Sequence, residues 1–202
     1  MVLEIGSELN MIKQIYDNNF KDHIKSFEYL SRYGEKPDFK YLVSSDIKAF
    51  NFDGITKLFC KKNCKQGIKS ADGLYFSKTI YFVEFKSGIK AGNNYNDTYL
   101  EDCIDKAIDT LNTHEKIVKE YRGDEIQINN LQHDYIVVMN SSSDGTPSKA
   151  FGLALAKDSK ILPELISKLN DGIREKQKDL LCKFTNIDIW NDIYFDKNVC
   201  NL

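Results

Sequence analysis

ADGLYFSKTIYFVEFKSG, residues 71–88, carries an aspartate, Asp72, then eleven residues, then Glu84 and Lys86 with one residue between them. The flanking residues are β-branched and aromatic. Ile80-Tyr81-Phe82-Val83 reads as core, yet it runs directly into Glu84-Phe85-Lys86. Buried charges are expensive unless they are paired or bind a metal. In a strand, residues i and i+2 share a face, so Glu84 and Lys86 project together and Phe85 points the other way. Residues 68–76 and 79–87 read as paired strands with Ser77-Lys78 at the turn. Folded antiparallel about that turn, the chain brings Asp72 opposite residue 83 or so, beside Glu84. Two carboxylates and an ammonium then converge. Paired carboxylates suit Mg²⁺ or Mn²⁺, and such an ion activates water and stabilises charge on a phosphate oxygen. The alternative is a cross-paired surface cluster, worth only about 0–1 kcal/mol.

Outward from the hairpin, the order of elements is legible. Leu9, Ile12, Tyr16, Phe20, Ile24, Phe27 and Leu30 fall at helical spacing over residues 8–31, with Asp17-Asn18-Asn19 as a break between two helices. Weak strands are expected near 41–44 and 52–59. After the Gly/Asn-rich stretch 88–96, Thr98-x-x-Glu101 matches a capping box. Leu100, Ile104, Ala107, Ile108, Leu111 and Val118 then continue a helix towards Gly123. Tyr135 to Met139 is an unbroken apolar run, as in a strand covered on both faces. A loop at 141–148, a strand near 150–156, a helix from Leu162 to Phe184 beginning near Pro163, and a tail 185–202 packed back on the body complete the chain. The expectation is an α/β fold, a mixed central sheet flanked by helices, in one domain over 1–202 with its core at about 8–140.

At 202 residues and 42% hydrophobic, the chain has enough apolar material for one sizeable core. The formal net charge of −2 counts against a protein that coats nucleic acid nonspecifically. It leaves open an enzyme that meets phosphates through a metal and a local basic patch. Residues 1–6 have no basic stretch followed by a long apolar one, so no signal peptide is expected. No run approaches the roughly 18 apolar residues of a membrane span. The five cysteines read as reduced thiols in a cytoplasmic protein. Zinc is disfavoured because Cys60-x3-Cys64 has no second pair of ligands.

Ser70-Ala71-Asp72, eleven residues, then Glu84-Phe85-Lys86 resembles the signature of the PD-(D/E)xK nuclease superfamily. The helix–strands–helix–strand order over about 8–140 resembles its restriction-endonuclease-like core. The resemblance implies that Asp72 and Glu84 bind Mg²⁺ or Mn²⁺, that the Phe85 carbonyl is a further ligand, and that Lys86 assists the attacking water. Some members of the superfamily add an acid from the first helical region, for which Glu8 and Glu28 are candidates and Glu28 is preferred. Ala71 stands where the signature has proline, and the helix at 98–122 lacks the Gln-x-x-x-Tyr of one exonuclease-like branch.

Lys57, Lys61, Lys62, Lys65 and Lys69 fall in a stretch with no acid. They read either as a solvated hairpin tip or as a phosphate contact patch. The function expected is metal-dependent hydrolysis of nucleic acid, DNA ahead of RNA. The alternative is an inactive member of the same fold that binds a protein partner, as an immunity protein or regulator would.

Overall fold

The computed structural model describes residues 2–63, 68–87, 97–122, 126–139 and 161–202, with backbone alone at 2–5, 97–99 and 161–164. Its elements in chain order are α1 (Val2–Asn19), β1 (Ile24–Ser26), α2 (Phe27–Leu30), β2 (Arg32–Tyr33), β3 (Lys40–Tyr41), β4 (Lys48–Asn51), α3 (Phe52–Lys62), β5 (Gly73–Phe76), β6 (Ile80–Lys86), α4 (Asp97–Arg122), β7 (His133–Met139), α5 (Ile161–Lys176), β8 (Phe184–Asn191) and α6 (Asp192–Asn198). Six strands form one mixed sheet in the order β1-β4-β5-β6-β7-β8. Pairing is antiparallel from β1 to β6 and parallel across β6, β7 and β8. A separate two-stranded ribbon joins β2 and β3.

The pleat of β6 sorts its side chains into two cores. Ile80 and Phe82 face the larger one, with Ile12 and Tyr16 of α1, Ile55 of α3, Leu111 of α4 and Leu169 of α5. Val83 faces the smaller one, with Phe27 of α2 and Phe195 of α6, and Phe85 packs against it. Helices therefore cover both faces, and β7, buried at every position, is the doubly covered strand that its apolar run predicts. No helix is long and apolar enough to cross a membrane among the described residues.

Several elements differ from the sequence reading. The second half of the helical stretch 8–31 is a strand, β1, followed by the one-turn helix α2. β1 pairs with β4, so sheet hydrogen bonds override a helical apolar spacing. Residues 52–59 are helix, not strand. Asn51 caps α3 by accepting the Gly54 N–H at 3.0 Å, and Phe52, Ile55, Thr56, Phe59 and Cys60 are its buried face, a three-and-four spacing. The lysines from 57 onward therefore start on a helix and not on a hairpin tip. The strand near 41–44 shrinks to β3. The helix expected to reach Phe184 ends at Lys176. Gln177 accepts the Phe184 N–H at 2.9 Å, and the chain returns as β8 beside β7. The loop at 141–148 and the strand near 150–156 lie outside the described residues.

Candidate active site

The β5–β6 register pairs Gly73 with Val83 and Phe76 with Ile80. One step further, where β5 has ended, Asp72 comes level with Glu84. Three contacts fix Asp72 there. Its backbone carbonyl accepts the Phe52 N–H at 3.0 Å. Its carboxylate accepts the Phe85 N–H at 2.7 Å. The residue before it is tied down because the Ala71 N–H donates to Thr110 Oγ1 of α4 at 2.8 Å. Proline has no N–H, so the alanine at this position makes an anchoring bond that proline would forfeit. A Cβ on Gly73 would lie 3.2 Å from Phe27 Cε1 and 3.3 Å from Leu30 Cδ1. Glycine thus lets α2 press onto the strand immediately after Asp72.

Glu84 is 1% exposed and projects towards α4. Its Oε1 receives two ammonium groups, Lys86 Nζ at 2.9 Å and Lys106 Nζ at 2.7 Å. Its Oε2 is buried with no hydrogen-bond partner among the described residues. Lys86 also reaches Asp102 Oδ2 at 2.8 Å, and Lys69 holds the other oxygen of that carboxylate at 2.7 Å. Asp102 and Lys106 sit four residues apart on α4 and so on one helix face.

Burial, and then the negative charge of Glu84, push the Asp72 carboxyl up to about 8, against the opposing hydrogen bond from Phe85. For Lys86, burial alone would lower the pKa, but the charge of Glu84 and the hydrogen bonds to Asp102 and Glu84 together outweigh it and hold the ammonium form well above its ordinary range. Partial burial of Asp102 is likewise outweighed, here by its bonds from Lys69 and Lys86, and its carboxyl is lowered to about 2. Asp72 resists ionisation while Lys86 and Asp102 are held charged. Titratable groups with environments pushed apart in this way are found at functional sites and in structural ion-pair networks alike.

Asp72, Glu84 and Lys86 are thus brought together as the sequence predicts. In a strand the N–H and C=O of one residue open to the same side. The Phe85 carbonyl therefore opens towards Asp72, past the last β5 pair. Glu28 is not brought to the site. It is exposed on α2, which packs through Phe27 and Leu30 on the face shared by Val83 and Phe85, opposite Glu84. Glu8 accepts the Gln127 N–H at 3.2 Å and fastens α1 to the segment before β7. Of the lysines, Lys57 pairs with Asp53 at 2.5 Å, Lys62 pairs with Glu120, Lys69 joins Asp102 in the site, and Lys61 is exposed at the end of α3. Lys65 lies outside the described residues. Lys106 and Asp102 are absent from the sequence reading. Their signal was an i, i+4 charged pair bordering the apolar stripe of the helix that follows Glu84-Phe85-Lys86.

Among the described residues, no group of three or more His, Cys, Asp or Glu side chains gathers as a metal cage. Mg²⁺ does not need one, because it is commonly held by one or two carboxylates and keeps its waters and substrate phosphates. The chemistry present fits such an ion. The unpartnered Glu84 Oε2, the Asp72 carboxylate and the Phe85 carbonyl are the oxygens that would hold it. No known protein family, curated protein or solved structure matches the chain, so the functional reading rests on the residues themselves.

Proposed function

We propose that the chain is a metal-dependent phosphodiesterase acting on nucleic acid, DNA ahead of RNA, with a site of the PD-(D/E)xK nuclease kind. The observation that carries the proposal is a buried glutamate with one oxygen unpartnered, level with an aspartate whose ionisation the fold opposes. Such an arrangement costs stability, and two carboxylates crowded together are relieved by a cation between them. A bound Mg²⁺ or Mn²⁺ would supply Lewis acidity and a water acidic enough to attack a phosphodiester. The chain's own groups do the rest. The Phe85 N–H fixes the orientation of the Asp72 carboxylate. Asp102 and Glu84 hold the Lys86 ammonium, where it offsets negative charge growing on the phosphate.

Incubation with plasmid, single-stranded DNA and RNA, with Mg²⁺, Mn²⁺, Ca²⁺ or EDTA, tests the proposal. Cleavage is expected with Mg²⁺ or Mn²⁺, weak activity with Ca²⁺, and none in EDTA. Equal cleavage in EDTA removes the metal mechanism. A protein-binding module is the second reading. It is favoured by the charges of the cluster, in which Glu84 and Asp102 already meet Lys69, Lys86 and Lys106. No cleavage under any condition would favour it.

A further inference from the structure

We infer that Lys106 is the site's own cation: its ammonium neutralises Glu84 in the metal-free protein and competes with a divalent ion for that carboxylate, so that Lys106 sets the metal affinity. The inference rests on the metal-site reading above. The two lysines on Glu84 are not equivalent. Lys86 is bridged between Glu84 and Asp102 and its side chain is 12% exposed. Lys106 reaches down from α4, is 21% exposed, and has Glu84 as its ion-pair partner. A lysine held by one carboxylate beside water can withdraw along its flexible stem, whereas the bridged lysine would have to break two pairs. Both ammonium groups also crowd one oxygen, Oε1, and leave Oε2 buried and without a partner among the described residues. Two lysines thus satisfy the charge of Glu84 without satisfying its second oxygen. A cation that binds there would meet the repulsion of an ammonium only one carboxylate away, and that repulsion is strong in a partly buried setting. Lys106 is therefore a positioning residue, acting through Glu84.

The test is calorimetric titration of Mn²⁺ into EDTA-stripped wild type, Lys106→Gln, Lys106→Met and Lys116→Gln, with melting temperatures measured in EDTA. Lys116 is exposed on the same helix, ten residues and about 15 Å along it, and controls for net charge. Loss of the Lys106 ammonium should tighten Mn²⁺ binding by about tenfold, and Lys116→Gln should shift it by less than about twofold. General damage to the site would loosen binding, so tightening is a result that a purely structural role does not give. Lys106→Gln keeps an N–H donor for Glu84 and carries the test if Lys106→Met does not fold. Unchanged or weaker Mn²⁺ binding in folded Lys106 variants overturns the inference while leaving the metal site standing. Failure of both variants to fold overturns it by making Lys106 structural. No Mn²⁺ binding by wild type or any variant overturns the inference and the metal mechanism together.

Discussion

Two buried polar groups lie on the same face of β6, one pleat apart, and they are built on opposite principles. At Phe82 the neighbours are His114 and His133, whose rings lie 5.3 and 6.5 Å from it. His114 Nδ1 is 2.7 Å from the Tyr16 hydroxyl. The Leu131 carbonyl accepts from His133 Nδ1 at 3.0 Å, which leaves Nε2 to accept from the Cys182 thiol at 3.3 Å. Every member of that group is neutral. At Glu84 the group is ionic, a carboxylate oxygen is unpartnered, and an aspartate resists its charge. Burial acts on both groups, and among the described residues each has one buried atom without a hydrogen-bond partner, His114 Nε2 and Glu84 Oε2, but burial keeps the first group neutral and leaves the second charged. A neutral core network of this kind serves stability. A charged one that costs stability departs from that rule, and the cation proposed above would relieve it.

The sharpest way to break this contrast is Asp72→Asn. Cleavage should fall by about a hundredfold or more, the scale of losing a directly positioned group. The melting temperature at pH 7.5 should rise by a few degrees. The Asp72 carboxyl is raised from 3.8 to about 8 in the fold. An acid raised on folding supports the native state fully below its ordinary pKa and loses that support as pH rises to the folded value. The stabilising effect of the substitution should therefore grow between pH 4 and 8. A fall in melting temperature would place Asp72 among structural residues.

Lys86→Ala should also lower the rate by about a hundredfold. Unlike a lysine at an open strand end, Lys86 joins β6 to α4 through Asp102, so a modest fall in melting temperature is expected beside the loss of rate. Lys106 still covers Glu84, and a large fall would mean that the bridge holds the fold together.

The histidine group answers acid in the opposite sense. Burial pulls His133 down to about 4 from 6.5, and burial followed by the nearby His133 pulls His114 well below its ordinary value. A base held neutral in this way supports the fold fully above pH 6.5 and loses that support as pH falls towards 4. His133 alone should account for about 3 kcal/mol, measured as urea midpoints at pH 7 and pH 4. Tyr16→Phe, which strips His114 Nδ1 of its partner, should cost about 1–3 kcal/mol and leave cleavage by the remaining folded protein unchanged. If Tyr16→Phe instead slows cleavage with no loss of stability, the two groups are one functional unit and the contrast fails.

The smallest effect is expected at the α3 lysines. With Lys62 paired to Glu120 and Lys69 engaged by Asp102, Lys57 and Lys61 remain as candidate phosphate contacts among the described residues, and Lys57 already faces Asp53. Changing both to Ser should reduce the salt slope of duplex binding by about one. No change in slope would direct the nucleic acid to another surface.

The local sequence determined the hairpin and its register. A two-residue period puts Glu84 and Lys86 on one face, and the turn at Ser77-Lys78 fixes what stands opposite, so the place of Asp72 beside Glu84 is legible from the order of residues alone. The same holds for β7 and α4, which are long and strongly patterned. Short elements were not legible. β1 is three residues long inside a helical spacing, and β8 is a strand because β7 offers it a parallel edge, a fact carried by no residue within 184–191. Nor could sequence periodicity place Lys106 and Asp102 in the site. Periodicity says which residues of α4 share a side, but the rotation and height of a helix over a sheet are set by the packing of Tyr16, Leu111 and Leu169 from distant parts of the chain. That packing aimed a second lysine at Glu84, and it alone decided that the glutamate would be charge-matched yet left with an open oxygen.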